Sequence, residues 1–223
     1  MEDVLDVYRR PYDEKRPLIA MDEVPKQLVA ELRLPVAARP GCPRRVDYEY
    51  KRNGTANIFM LFEPLAGRRQ VKITERRTKI DWAHLSKDLV DVHYPEAEGV
   101  VLVMDNLNTH TKASLYEAFE PKEAKRIADK LEIHYTPKHG SWLNVAESEL
   151  SVMGRQCLDR RIPDIQSLAD EAAAWQQRRD AEARPVDWQF TVEDARIKLK
   201  SLYPALQSWR STRSVHQLGH ILP

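Results

Sequence analysis

The sequence predicts an α/β fold, a mixed five-stranded sheet flanked by helices, on three observations. Gly99 opens GVVLVMDN, the most apolar run in the chain and the pattern of a central strand buried on both faces. Residues 46–76 hold segments of strand-forming residues punctuated by Asn53-Gly54 and Ala66-Gly67, the marks of an antiparallel meander. Residues 80–94 and 141–159 change to helical spacing.

The elements follow in order. Residues 4–10 read as a short helix broken at Pro11. PLIAMDE (17–23) is a brief apolar run ending in two acids, as a buried strand looks when it delivers a carboxylate at its end. Residues 24–43 carry Pro25, Pro35, Pro40 and Pro43 and read as a long irregular loop. VDYEYKR (46–52), ANIFMLFEP (56–64) and RRQVKITER (68–76) make the meander. A helix over 80–94, with Asp81 near its start, crosses over to the central strand, which ends in Asp105-Asn106. One charged helix is expected over 112–130, then LEIHYTP (131–137) as the last strand, stopped by Pro137. Gly140-Ser141 starts a helix to about 159 whose stripe is Leu143, Ala146, Leu150, Met153 and Cys157. Further helices are expected over 164–180 and 192–202. Residues 1–204 are read as one domain, and 205–223, where periodicity fades, as a disordered tail. This order gives an architecture of the ribonuclease H kind.

Composition narrows the class. The 223 residues are 42% hydrophobic and 31% charged, enough to bury a core without disulfides. No apolar run approaches the ~20 residues of a membrane span. The start, MEDVLDVYRR, lacks a signal peptide's basic region and apolar core, so the expected compartment is the cytoplasm. Cys42 and Cys157 have no second cysteine at metal-binding spacing and read as reduced thiols. A net charge of +1 gives no bulk signal for nucleic acid. Locally, Arg44, Arg45, Lys51 and Arg52 form one basic group, and Arg68, Arg69, Lys72, Arg76, Arg77 and Lys79 a denser one; each suits a solvated face or a DNA contact.

Three acids stand where chemistry is expected. Asp22 ends the first strand, Asp105 ends the central strand, and Glu147 lies near the start of a helix. Singly, each has a plain reading: a loop cap, a turn residue, a helix surface charge. Asp105 is the least plain, because an ionised carboxylate directly after VVLVM needs a partner. Carboxylates at strand ends can converge at one sheet edge, and oxygen ligands suit Mg²⁺ or Mn²⁺. Two such ions ~3.5–4 Å apart serve an in-line phosphoryl displacement with no nucleophilic side chain.

The stretches around these acids carry a resemblance. DNLNTH (105–110), followed by YTPKHGSWLNVAESELS (135–151), is similar to the bacterial insertion-sequence branch of the mariner superfamily of DDE transposases, and AMDEVPKQL (20–28) matches that family's first catalytic segment. The resemblance runs in order from about residue 3 to residue 204. It implies a ribonuclease H-like fold and a catalytic, metal-holding triad at Asp22, Asp105 and Glu147. It also implies two Mg²⁺ ions, with Mn²⁺ accepted, and DNA as partner, both transposon ends and target. The implied reaction is nicking at transposon ends followed by transfer of the 3′ ends, by a homodimer on DNA in the bacterial nucleoid. Relatives carry a helix-turn-helix region ahead of this domain; residues 1–20 leave no room for one, so sequence-specific end recognition is not expected of this stretch. The stretch from Asp105 to Glu147 is longer than in animal mariner relatives. Two other readings stay open: a catalytically silent truncated transposase that binds DNA or inhibits intact subunits, and a nuclease for RNA–DNA hybrids.

Neighbouring residues have competing readings. Strand alternation puts Glu23 on the face opposite Asp22. Glu149 lies about 200° around the helix from Glu147, so both cannot face one metal. Asn106, His110, Lys138, His139 and Asn144 are candidates for carboxylate support or DNA contact, with ordinary loop hydrogen bonding as the alternative for the two histidines. A histidine zinc site using His110, His134 and His139 is disfavoured, and Trp142 reads as a packing residue rather than a base-stacking platform.

Overall fold

A computed structural model describes residues 1–203 except 34 and 139, so the expected tail and His139 lie outside the described residues. Contacts divide the chain into two compact units, Met1–Gln189 and a second from Phe190 onward. The first holds α1 (Glu2–Tyr8), β1 (Leu18–Glu31), β2 (Tyr50–Glu63), β3 (Arg68–Thr74), α2 (Lys79–Asp88), β4 (Val100–Met104), α3 (Lys112–Ala118), α4 (Pro121–Lys130), β5 (Leu131–Tyr135), α5 (Val145–Met153) and α6 (Ile165–Glu182). The second contains α7 (Val192–Lys198), opened by a capping box between Thr191 and Asp194. No helix among the described residues is long and apolar enough to cross a membrane.

The sheet has five strands in the order β3-β2-β1-β4-β5. β3, β2 and β1 are antiparallel, whereas β1, β4 and β5 are parallel. This is a mixed α/β sheet of the ribonuclease H-like type. All five residues of β4 are buried, as its unbroken apolar run requires of a strand covered on both faces. One face, through Ile19, Met21, Phe59, Leu61, Leu102 and Met104, packs on α2, α3 and α4. The other face meets α5 and α6.

Two sequence expectations give way here. Asn53-Gly54 is not a turn. It lies inside β2, where the β1–β2 register slips between Gln27 and Val29 and Gly54 takes φ +94°. An Asn-Gly pair can supply the left-handed residue of a β-bulge as readily as that of a hairpin. The first two meander segments are therefore one strand, and six extended segments amount to five strands. For the same reason residues 24–31 are not loop but the second half of β1, paired as far as Glu31 with Tyr50. Pro25 is accommodated because β1 pairs with β4 only through Ala20, leaving that side of the strand open.

The helices differ in detail. The expected 112–130 helix is split at Phe119-Glu120, both extended, ahead of Pro121. A proline disfavours helical geometry in the residue before it and suits the first helical position. α2 begins at a capping box between Thr78 and Asp81 and runs on as a π-turn over Leu89–His93. The 141–159 helix is a 3-10 turn, then α5, then a π-turn over Gly154–Leu158.

Candidate active site

The parallel ladder between β1 and β4 pairs Leu18 with Val101, Ile19 with Leu102 and Ala20 with Val103. Continued two residues further, the same register sets Asp22 beside Asp105. Neighbouring strands lie ~4.8 Å apart, and both acids take the face that alternates with Ile19 and Met21, the face toward α5. Beyond this point the chains part. β4 ends at Met104, while β1 continues against β2. The divergence opens a cleft at the carboxyl ends of the parallel strands, where open α/β sheets accept ligands.

Glu147 reaches the cleft from the first turn of α5. That turn is set by Asn144, whose Oδ1 accepts from the Ala146 N–H at 3.2 Å while its Nδ2 donates to the Met21 carbonyl at 2.8 Å. One buried amide thus ties the start of the glutamate's helix to the residue before Asp22. The cleft has a volume of about 810 Å³, and Asp22, Asp105, Asn144 and Glu147 line it together with Lys26 and Arg155. The Lys26 ammonium donates to the Leu158 and Arg160 carbonyls and fastens the wall beyond the π-turn. Arg155 is exposed and has no ion pair among the described residues.

The electrostatics are those of crowded acids. Burial is the largest influence on Asp22 and raises its carboxyl pKa. The Glu23 N–H, 2.8 Å from Asp22 Oδ1, pulls the other way. The charges of Glu23, Asp105 and Glu147 push it up again, to about 7. Hard carboxylate oxygens around one open cleft, one of them unwilling to ionise beside the others, suit a divalent cation of the Mg²⁺ or Mn²⁺ kind.

His110 lies behind this cluster, buried, with Nδ1 2.6 Å from Asp105 Oδ1 and Nε2 3.3 Å from Glu23 Oε2. Burial pulls the imidazole pKa down, but the two carboxylates outweigh it and hold the ring at about 9. The ligand atoms of Glu23, Asp105 and His110 all fall within 4.8 Å of one another, more tightly than those of Asp22, Asp105 and Glu147. Each nitrogen of that ring already faces a carboxylate, however, so no lone pair is left for a metal.

The other residues singled out from sequence scatter. Asn106 is exposed on a separate, smaller cleft shared with Glu23 and Arg77. Lys138 is exposed and outside the lining of the main cleft. Glu149 is buried on the far side of α5 from Glu147, gripped by Arg69 at 3.0 Å and Arg179 at 3.2 Å. His134 binds Asp3 and Glu132. The denser basic group is largely neutralised: Arg69 pairs with Glu149 and Asp180, Lys72 with Asp88 and Lys79 with Glu117. Trp142, read as a packing residue, is 41% exposed, because a short 3-10 turn rather than a full helix carries it. Sequence reasoning missed Lys26 and Arg155 as cleft residues and Glu23 as a partner of His110. For Glu23 a signal existed: an acid on the other face of β1 must meet whatever follows β4 on that face.

Fold and site together define a ribonuclease H-like protein with an open cleft lined by carboxylates. The model of the DDE superfamily endonuclease family matches residues 17–169, a span that includes all three acids, and the chain belongs to this family. No curated protein matches in sequence. Among solved structures the fold is similar to that of the Mos1 mariner paired-end complex with Mn, at 16% identity and a TM-score of 0.54, over 82% of this chain and 54% of that one. The Mos1 strand transfer complex is similar at 15% identity and a TM-score of 0.56, over 82% of this chain and 53% of that one. This chain thus spans about half the length of the solved structures it matches.

Proposed function

We propose that the chain is the catalytic domain of a transposase of the insertion-sequence kind, cutting DNA strands and transferring the freed 3′ ends with Asp22, Asp105 and Glu147 as metal-holding catalytic residues. The observation that carries this reading is the convergence of three carboxylates from β1, the end of β4 and α5 on one open cleft, close enough for Asp105 and Glu147 to act on the ionisation of Asp22. Two bound divalent cations would activate the attacking oxygen and stabilise the leaving one. The protein's part is to hold position and charge. Asn144 fixes Glu147 against β1, and the Glu23 N–H fixes one oxygen of Asp22. Arg155, exposed on the cleft wall, would offer its guanidinium to a backbone phosphate, and the exposed Lys138 and Asn106 would contact DNA outside the cleft. The attacking group is a water in strand cutting and a DNA 3′-hydroxyl in strand transfer. DNA, as transposon end and target, is the partner, engaged by two copies of the chain.

The test is nicking of supercoiled plasmid by the purified chain in Mg²⁺ or Mn²⁺. Wild-type protein is expected to nick, and Asp105→Asn to lose activity by at least about a hundredfold. Equal nicking by both proteins would remove the assignment.

A further inference from the structure

We propose that Glu23 is the positioning residue for both aspartates of the cleft, holding Asp22 through its backbone N–H and Asp105 through His110. This rests on the reading of Asp22 and Asp105 as metal ligands. The two halves of the arrangement use the two sides of one strand. The Glu23 N–H donates to Asp22 Oδ1 at 2.8 Å on the cleft side. The Glu23 side chain leaves on the opposite face, where it is 2% exposed. Its Oε2 is buried, has no hydrogen-bond partner, and lies in ion-pair contact 3.3 Å from His110 Nε2. The far nitrogen of the same ring lies 2.6 Å from Asp105 Oδ1. With a carboxylate facing each nitrogen, the ring is held between them, hydrogen-bonded to Asp105 and in ionic contact with Glu23, and serves as a spacer between β1 and the end of β4.

The spacer is itself held. Trp82, wholly buried, packs 6.2 Å from the imidazole at a 30° tilt. The Tyr135 hydroxyl donates to the His110 carbonyl at 2.8 Å, and the Ser114 hydroxyl donates to the Thr109 carbonyl at 2.9 Å. Arg77 stands 3.8 Å from the other oxygen of Glu23, so positive and negative groups alternate from Arg77 through Glu23 and His110 to Asp105. Each aspartate therefore has one oxygen committed to the protein and one left for a cation. Groups behind a ligand that fix its orientation typically change metal affinity 10- to 100-fold when removed.

Because Glu23 acts on Asp105 only through the ring, its side chain and His110 must behave as one unit. The experiment is Mn²⁺ titration of the purified full chain, followed by calorimetry and by thermal shift, for wild type, Glu23→Gln, His110→Ala, His110→Asn and the Glu23→Gln/His110→Ala double variant. Glu23→Gln keeps shape and the backbone N–H, so it is the variant least able to unfold the chain. The expected result is an Mn²⁺ dissociation constant raised roughly 10- to 100-fold in His110→Ala and several-fold in Glu23→Gln. His110→Asn, which keeps a donor toward Asp105, is expected within about threefold of wild type, and the double variant within about twofold of His110→Ala. Unchanged affinity in Glu23→Gln and His110→Ala, with wild type binding normally, overturns the positioning role alone. Independent, multiplying effects in the double variant overturn action through the ring. Absence of Mn²⁺ binding by wild type removes the metal-site reading, and this inference with it.

Discussion

Asp22 gives the sharpest prediction. Its carboxyl is pushed up to about 7 by burial and by the acids around it, so a cation arriving at the cleft below that pH must displace a proton. With that value, about nine-tenths of the chains carry a protonated Asp22 at pH 6 and about one-tenth at pH 8. Mn²⁺ affinity should then fall about tenfold between pH 8 and pH 6, about 1.4 kcal/mol, with about 0.9 proton released per site at pH 6. An aspartate with an ordinary pKa near ~4 would change the affinity by about 1% over the same interval. His110, held at about 9 in the metal-free chain, is largely protonated across this window before the cation arrives. Calorimetric titration in two buffers of different ionisation enthalpy measures both numbers. Affinity constant within twofold from pH 6 to pH 8, or no proton release at pH 6, would refute the reasoning. The metal-free chain carries the mirror image. A carboxyl whose folded pKa lies above its unfolded value binds more protons when folded, so this contribution to stability erodes as pH rises from ~4 through about 7. The melting temperature of wild type relative to Asp22→Asn should therefore fall across that range, and that of wild type should rise on adding Mn²⁺.

Three further outcomes are expected. Arg69→Met removes the buried guanidinium that packs on Phe62 and Trp175, leaves Glu149 with Arg179 alone and half-buried Asp180 without its cation, and should cost about 3 kcal/mol in urea denaturation; a loss below ~1 kcal/mol would show that the network is relaxed or solvated. Asn144→Ala removes the α5 cap and leaves the Met21 carbonyl bare, about 2–3 kcal/mol together, while Asn144→Asp keeps the cap and should lose about half of that; equal losses would mean the cap contributes nothing. Arg155→Ala should lower the slope of log DNA affinity against log salt by about 0.9, and an unchanged slope would place the phosphate backbone elsewhere.

What the sequence reveals and what it hides follow from the range of the interactions concerned. Asp22, Asp105 and Glu147 are visible because each sits at a boundary that local pattern marks: an apolar run that stops in an acid, or the first turn after a Gly-Ser break. Burial of an entire strand keeps β4 off the sheet edge, between β1 and β5, and the position of its last residue then fixes where Asp105 must emerge. Local pattern fails where one signal has two physical solutions. Asn53-Gly54 supplies a left-handed residue, and whether that residue turns the chain or bulges it depends on β1, twenty-odd positions away. The charged 112–130 stretch looks like one helix by spacing, although Pro121 makes the break at Phe119-Glu120 foreseeable. The basic run at 68–79 looks like a DNA-facing patch until its acidic partners Asp88, Glu117, Glu149 and Asp180 are brought in from other elements. The contact of Glu23 with His110 hides for the same reason, since 87 positions separate them and only the β1–β4 register brings them together. Yet alternation alone assigns Glu23 to the face away from Asp22, and on that face an ionised side chain cannot remain among Met21, Trp82 and Met104 without a cation. The buried charge therefore demands basic partners, and Arg77 after β3 and the first histidine beyond the end of β4 are the residues in reach.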